Sequence, residues 1–454
     1  MSSATDTDAA CFEEELPPAL AAELAASDLD ALSADVAATL EAADVTFGAD
    51  GGPFLLDPVP RVIRAAEWEP VAAGLCQRVR ALDCFVADVY GRQSAVREGV
   101  VPAAVVSSAA YFEPLMQQAV HDERRWITIA GLDLVRGPDG AFRVLEDNVR
   151  TPSGIAYAIV ARRAISRHLT CADGLQALEP SLAVLAAALR AAAPEGVEEP
   201  VIAVLTDGPG NSAFYDHRAL AEGLGVALVR LVDLRLRDGH LHARVEEREV
   251  RLDVVYRRTD EDRLSDPRGG LTPVARLLLE PWARGKLGLV NGFGCGVADD
   301  KLVHAFVEDL IRFYLREEPL MASIETYDLS KPGALNRALE RLDELVVKPR
   351  AGHGGEGVMI GPLATAGERD AARAALEVSP ADHIVQAFSP LSTHPTICGG
   401  RLQPRHVDLR PFVFYGAEEV HALPGGLTRV ALTEGEMIVN SAREGGAKDT
   451  WVVA

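Results

Sequence analysis

Residues 126–149 read WITIAGLDLVRGPDGAFRVLEDNV. Two apolar-rich runs, WITIAGLDLV and AFRVLEDNV, flank a GPDG turn, and that pattern predicts a β-hairpin. Side chains alternate along a strand, so Glu146 and Asn148 share one face. The short turn can bring Asp133 of the first strand opposite them. Two carboxylates and an amide oxygen on one face form a hard-oxygen set of the kind Mg2+ takes together with substrate phosphates. The same residue types also suit a plain solvated face, because Asp, Glu and Asn are common.

Upstream of the hairpin the sequence is mostly helical in pattern. Residues 1–45 are Ala-rich, acidic and helix-prone, residues 46–60 are turn-rich and suit a loop or short hairpin, and residues 61–100 return to helix. Leu75, Val79, Leu82, Phe85, Val86 and Val89 recur at helical spacing and predict one buried face. Downstream, residues 156–193 are Ala/Leu-rich, with Glu179-Pro180 as a break between two helices. From about residue 199 strands and helices alternate: VIAVLT, a Gly/Pro/Asn turn, AFYDHRALAEGLG, VALVRLVDLRL, DVVYRR and LGLVNG. Such alternation predicts a parallel α/β layer, with ligands at the carboxyl ends of its strands.

A second stretch carries phosphate chemistry. In LVVKPRAGHGGEGVMIG (residues 345–361), Lys348 ends an apolar strand and Gly352, Gly354, Gly355 and Gly357 loosen the loop that follows. Such a loop can close its backbone N–H groups over phosphates while the ammonium neutralises them. It is not a Walker A loop, since no G-K-[ST] follows. Lysine is scarce here: of 45 basic residues only Lys286, Lys301, Lys331, Lys348 and Lys448 are lysine. Lys301, at the start of a helix after GCGVADD, reads as a surface residue when taken alone.

Composition narrows the rest. At 454 residues the chain is long enough for two or three domains, and 48% apolar with 25% charged residues is globular composition. A net charge of −22 opposes nucleic-acid or anionic-membrane binding through the overall field. Six cysteines without a C-x-x-C pair predict reduced thiols in a cytoplasmic protein. The acidic first residues do not read as a signal peptide, and no apolar run is long enough for a membrane span. His394, Cys398 and His406 fit no tetrahedral zinc spacing. Ser212, Asp216 and His217 lack a nucleophile elbow, and NGFGCG (residues 291–296) reads as a turn.

Many motifs in order, across roughly residues 45–453, resemble the circularly permuted ATP-grasp type 2 family. They include GLDLVRGPDGAFRVLEDNVRTPSG, GPGNSAFYDH, YRRTDED, GVADDK, VVKPRAGHGGEGV, STHPT, RHVDLRPFV, GGLTRVAL and SAREGGAKDTW. The family is similar in turn to the ligase domain of glutathionylspermidine synthase. The resemblance implies a multi-lobed α/β chain, an ATP-grasp fold in permuted order with a Rossmann-like pre-ATP-grasp layer. The expected organisation is a mostly helical region over 1–110, the metal-binding hairpin and core helices over 111–195, the α/β layer over 196–296 and a nucleotide-binding lobe over 297–454.

The resemblance also implies residue roles. Asp133, Glu146 and Asn148 would hold Mg2+, and Lys301 and Lys348 would contact the phosphates of ATP. Gly352, Gly354, Gly355 and Gly357 would form the lid, and residues 383–388 the hinge beside adenine, with Gln386 or its neighbours' backbone reading the base. The related ligase domain carries an arginine two residues before the metal-binding Asp, where this chain has Gly131. Arg136, Arg150, Arg410 and Arg429 are candidate replacements, and Arg150 is preferred as the catalytic arginine. Asn211, Ser212, Arg257 and Arg258 would border the acceptor pocket. The implied activity is ADP-forming ligation of a small carboxylate to an amine through an acyl phosphate, without nucleic-acid or membrane partners. Two other classes compete with it, a non-catalytic ATP-binding partner protein and a small-molecule phosphotransferase.

Overall fold

The computed structural model describes residues 11–119, 125–171, 175–259, 263–352, 355–439 and 445–454. Helices and several sheets are mixed along the chain, as an α/β class requires. The largest sheet has nine strands and gathers both ends of the sequence. Its central strand Ile129–Arg136 pairs with Phe142–Asn148 on one edge and with Arg401–Arg410 and Phe412–Tyr415 on the other. Leu427–Val430 follows Arg401–Arg410, then Gly446–Val453, and then, in parallel, Leu56–Arg64.

That last strand differs from the sequence expectation, which ran loop and then helix across these residues. Leu56–Arg64 is nine residues of strand, and the helix begins only at Ala65. Its pairing partner lies at the far end of the chain, so local pattern carries no sign of it. The helix Ala65–Tyr90 then buries Leu75, Val79, Leu82, Phe85, Val86 and Val89, the face expected from their spacing. Pro180 sits in the first turn of Pro180–Ala191, where its missing N–H leaves no intrahelical bond unmade.

Residues 202–290 form a four-stranded parallel sheet in the order Gly288–Val290, Val254–Arg258, Ile202–Thr206, Ala227–Val229. The stretch VALVRLVDLRL is not one strand. A 3-10 turn at Leu231–Asp233 divides it, and Leu234–Arg237 joins a separate three-stranded antiparallel sheet. A further four-stranded sheet orders Thr326–Tyr327, His383–Ala387, Leu345–Pro349 and Met359–Ile360. The helix Ala366–Val378 packs on it, opened by a reciprocal Thr365–Glu368 cap.

The segment after residue 297 is less regular than one helix. It runs through a 3-10 turn Val303–Phe306, a short α-helix Val307–Leu310 and a π-helical turn Ile311–Leu315. Among the described residues no helix is long and apolar enough to cross a membrane.

Candidate active site

The hairpin supplies the first wall. Asp133 lies directly opposite Glu146 and Gly131 opposite Asn148, with an irregularity in register after Asp133. Opposite residues of an antiparallel pair project to the same side, so the three oxygen-bearing side chains share one face. Asp133 is buried and receives two guanidiniums. Arg410 donates Nε and Nη2 to its two oxygens at 2.6 and 2.8 Å, and Arg429 donates Nη2 at 2.9 Å. Burial pushes the Asp133 carboxyl up, but Arg410 and Arg429 more than reverse this and bring it to about 2. Arg429 also binds Asp408, whose own carboxyl is pushed up by burial.

Gly131 lies beside the Arg410 stem and under Pro152. A Cβ at Gly131 would sit 2.8 Å from Pro152 Cβ and 3.5 Å from Arg410 Cδ. A side chain at position 131 would therefore clash with Pro152, while the Arg410 stem would be in ordinary contact with it. Of the other candidate arginines, Arg136 donates to Gly140 O and pairs with Glu67. Arg150 pairs with Asp299 at 3.2 Å and lies 3.7 Å over the Tyr111 ring, so its head is held beside the end of the hairpin rather than at Asp133.

The second wall comes from the later lobe. Lys348 is buried, and its Nζ lies 3.7 Å from Glu146 Oε1. Burial pushes its ammonium down, Glu146 pulls it back, and the like charge of Lys301 lowers it again. Lys301 donates Nζ to the carbonyl of Gly352 at 2.5 Å and so touches the start of the glycine loop. Gly355 and Gly357 have φ of +72° and +70°, a region that favours glycine. Gly354 lies outside the described residues. Gln386, on the strand His383–Ala387, donates Nε2 to Thr326 Oγ1 at 2.8 Å, while its Oε1 has no partner among the described residues.

One enclosed cavity joins these walls. It is lined by Glu146 from the hairpin, Lys301 and His304 from the segment after GVADD, Asp299, and Gln386 from the hinge strand. The structure thus brings together Glu146, Lys301 and Gln386, with Lys348 beside Glu146.

The parallel layer places its candidates otherwise. Arg257 is fully buried and donates to the carbonyls of Asn291 and Gly292. Arg258, also buried, donates to Pro152 O, to Ser153 Oγ at 2.8 Å and to Asp216 at 3.2 Å. Both guanidiniums tie the layer to its neighbours. Asn211 folds back on its own turn, accepting from Ala213 N at 3.0 Å, while Ser212 is exposed and accepts from Gly48 N through its carbonyl. Asp216 and His217 face different partners, Arg258 and Thr206, and make no nucleophile set with Ser212. Among the described residues no three His, Cys, Asp or Glu side chains are grouped to hold a metal by themselves.

Several residues the sequence reading passed over hold the site together. In GVADD, Asp299 accepts from Val149 N and from Arg150 N at 3.1 Å, pinning the end of the hairpin. Asp300 accepts from Leu302 N at 2.9 Å and receives Arg350 Nε at 2.8 Å. Arg350 in turn donates to Ser108 Oγ and Val105 O, both at 2.7 Å, which anchors the strand that carries Lys348. An acidic pair at a helix start is a capping signal, and it was the one local clue to Asp300. Asn291 clamps the hairpin from the parallel layer, accepting from Thr128 N and Ile129 N and donating to Ile129 O and Val149 O. No pattern in the sequence announces that role.

A sequence model of the family described as circularly permuted ATP-grasp type 2 matches residues 60–431. An uncharacterised protein of Mycobacterium tuberculosis is 42% identical over 444 residues, covering 95% of this chain and 80% of its own length. An uncharacterised protein of a Synechocystis species is 41% identical over 409 residues, covering 88% of this chain and 84% of that one. A Frankia casuarinae protein provisionally named glutamate–cysteine ligase 2-2 is 43% identical over 409 residues, which are 88% of this chain but only 47% of that protein. Among solved structures, a glutathione synthetase-like effector of Globodera pallida superposes with a TM-score of 0.62 at 10% identity, covering 97% of this chain and all of that one. That likeness is one of fold.

Proposed function

This chain belongs to the circularly permuted ATP-grasp type 2 family, and we propose that it is an ATP- and Mg2+-dependent ligase that joins a small carboxylate to an amine. The observation that carries this reading is the shared cavity, where a hairpin carboxylate, a lysine and a hinge amide from three distant stretches meet. As it stands the cavity has room for about one water molecule, so a nucleotide with its phosphates towards Lys301 and Lys348 and its base towards Gln386 requires these walls to part. The provisional name of the Frankia relative supports an amino-acid-type substrate pair.

The donor set fits Mg2+ only alongside phosphates. Asp133 already carries two guanidiniums, whereas Glu146 is partly exposed and the amide nitrogen of Asn148 is buried without a partner among the described residues. Amide nitrogen and oxygen are interchangeable by a flip, so Asn148 can equally turn its oxygen to a cation. Glu146 and Asn148, with Asp133 behind them, would hold the ion, which supplies charge neutralisation at the reacting phosphates.

In this mechanism the substrate carboxylate attacks the γ-phosphorus, giving an acyl phosphate and ADP. The amine then attacks the acyl carbon, inorganic phosphate leaves, and the amine sheds a proton. Lys348 and Lys301 are point charges for phosphate oxygens. Arg410 and Arg429 hold Asp133 in a fixed orientation, and in the absence of a side chain at Gly131 Arg410 is the arginine best placed to steady charge there. The glycine loop, tethered by Lys301, excludes water that would hydrolyse the acyl phosphate.

The test is an ADP-release screen across amino acids, short peptides and polyamines, with Lys348→Ala and Glu146→Ala as blanks. ADP and phosphate should form in equal amounts only when a carboxylate and an amine are both supplied. Formation of AMP and pyrophosphate, or a stable phosphorylated product without an amine requirement, would overturn the proposal.

A further inference from the structure

His304 occupies a position that the proposed reaction does not explain. It lies one helical turn beyond Lys301 and lines the same cavity. The ring is buried, its side chain only 3% exposed. Its Nδ1 lies 2.7 Å from Asp147 Oδ2 and 3.1 Å from Arg78 Nη2. Asp147 is itself gripped by Arg78 through both oxygens, at 2.6 and 2.8 Å. The ring is thus locked from behind, while its Nε2 is buried with no partner among the described residues.

The chemistry of that nitrogen follows from its support. An ionised carboxylate only accepts, so the bond to Asp147 places the proton on Nδ1. In the neutral ring Nε2 then carries a lone pair and accepts. A buried acceptor left unpaired is costly, and a ligand bearing a hydrogen-bond donor would recover that cost. Gln386, which lines the same cavity, has a second buried polar atom, Oε1, without a partner among the described residues. Polyphosphate oxygens offer acceptors, not donors. The ribose hydroxyls and the exocyclic amine of the base offer donors.

We propose that His304, oriented by Asp147 and Arg78, is a nucleoside-recognition residue whose Nε2 accepts a hydrogen bond from the ribose or the base of the bound nucleotide. The inference rests on the nucleotide-binding part of the function proposed above and adds that the nucleoside, rather than the phosphate chain, meets this wall.

The test measures dissociation constants of the full chain for ATP and for inorganic tripolyphosphate. His304→Asn keeps a donor where Nδ1–H stood and removes Nε2; His304→Gln restores an acceptor near the Nε2 position. The expected result is about a tenfold loss of ATP affinity in His304→Asn, partial recovery in His304→Gln and unchanged tripolyphosphate binding. The source of the donor is read with 2′-deoxy-ATP, 3′-deoxy-ATP and the purine riboside triphosphate that lacks the amine. Wild type should lose affinity for one of these, and His304→Asn should not discriminate against it. Equal weakening of ATP and tripolyphosphate would make His304 a phosphate ligand and overturn the proposal. So would unchanged ATP affinity in a variant that melts like wild type. If wild type binds neither ATP nor tripolyphosphate, the ligase reading fails; if wild type binds and turns over ATP while His304→Asn is indistinguishable from it, only the role of His304 fails.

Discussion

Two buried lysines, one in the candidate site and one in the large sheet, show how the same residue serves opposite ends. Lys448 lies on the strand Gly446–Val453 and is sealed from solvent. Its Nζ pairs with Asp57 and donates to Val59 O at 3.2 Å and Pro395 O at 3.0 Å, so all three of its donors are used. Asp57 is equally committed, accepting from Val59 N and Ile397 N. Lys348 has instead a long pair with Glu146 and the like charge of Lys301 nearby. Burial pushes both ammoniums down. At Lys448 the protein supplies the compensation, whereas at Lys348 compensation is incomplete and an anionic ligand would complete it. Under-partnered burial, not burial itself, sets Lys348 apart from Lys448.

The strongest way to break this contrast is to remove each ammonium in turn. Lys448→Met strands the Asp57 carboxylate in a dry setting and should cost ~3–5 kcal/mol of stability, read as a fall in the urea midpoint. Ligand affinity should be unchanged in whatever fraction stays folded. Lys348→Ala should reverse the pattern. Glu146 is 30% exposed and can be solvated, so stability should barely move. Loss of a charge-assisted contact should weaken ATP by ~1.5–3 kcal/mol, measured by calorimetric titration. A large stability loss in Lys348→Ala would make it a structural lysine like Lys448.

A smaller effect tests the packing behind the site. Gly131→Ala brings a Cβ within 2.8 Å of Pro152 Cβ and should cost ~1 kcal/mol, with a lower melting temperature. If that variant is neutral, Pro152 gives way at no cost and position 131 does not require glycine. The last effect is a contribution held at neutral pH and lost only in acid. Near Lys448, burial would push the Glu14 carboxyl up, but Arg61 brings it down from 4.5 to about 2. A depressed carboxyl stabilises the fold above its unfolded value. That contribution is fully present above pH 4.5 and is lost as pH falls towards about 2. Urea midpoints measured across this window should fall for wild type and fall less steeply for Glu14→Gln.

Legibility divides along the same line. The hairpin could be read because its turn, its alternation and its three oxygen-bearing side chains lie within two dozen residues, and the paired register places Asp133 opposite Glu146. The glycine loop after Lys348 was legible for the same reason. Lys301 could not be weighed from its neighbours and stood out only through lysine scarcity and family resemblance. The roles of Asp299, Asp300, Arg350 and Asn291 were invisible, because each acts on backbone or side chains far away in sequence. Arg257 and Arg258 were read as pocket residues from their place at a strand's end, while packing turned them inwards to carbonyl groups.

The sequence alone determined the hairpin with its metal-type face, the α/β alternation after residue 199, the glycine loop and, through ordered motifs, the family. These follow from short-range periodicity and turn chemistry, which survive without knowledge of the rest of the chain. Only the tertiary structure decided that Leu56–Arg64 is a strand, that Arg410 and Arg429 hold Asp133, and that His304, whose Nε2 has no partner among the described residues, lines the cavity shared with Lys301 and Gln386. Each depends on a partner hundreds of residues away or on which polar atoms remain unpaired once everything else has packed. A local window contains neither quantity, because both are properties of the completed fold.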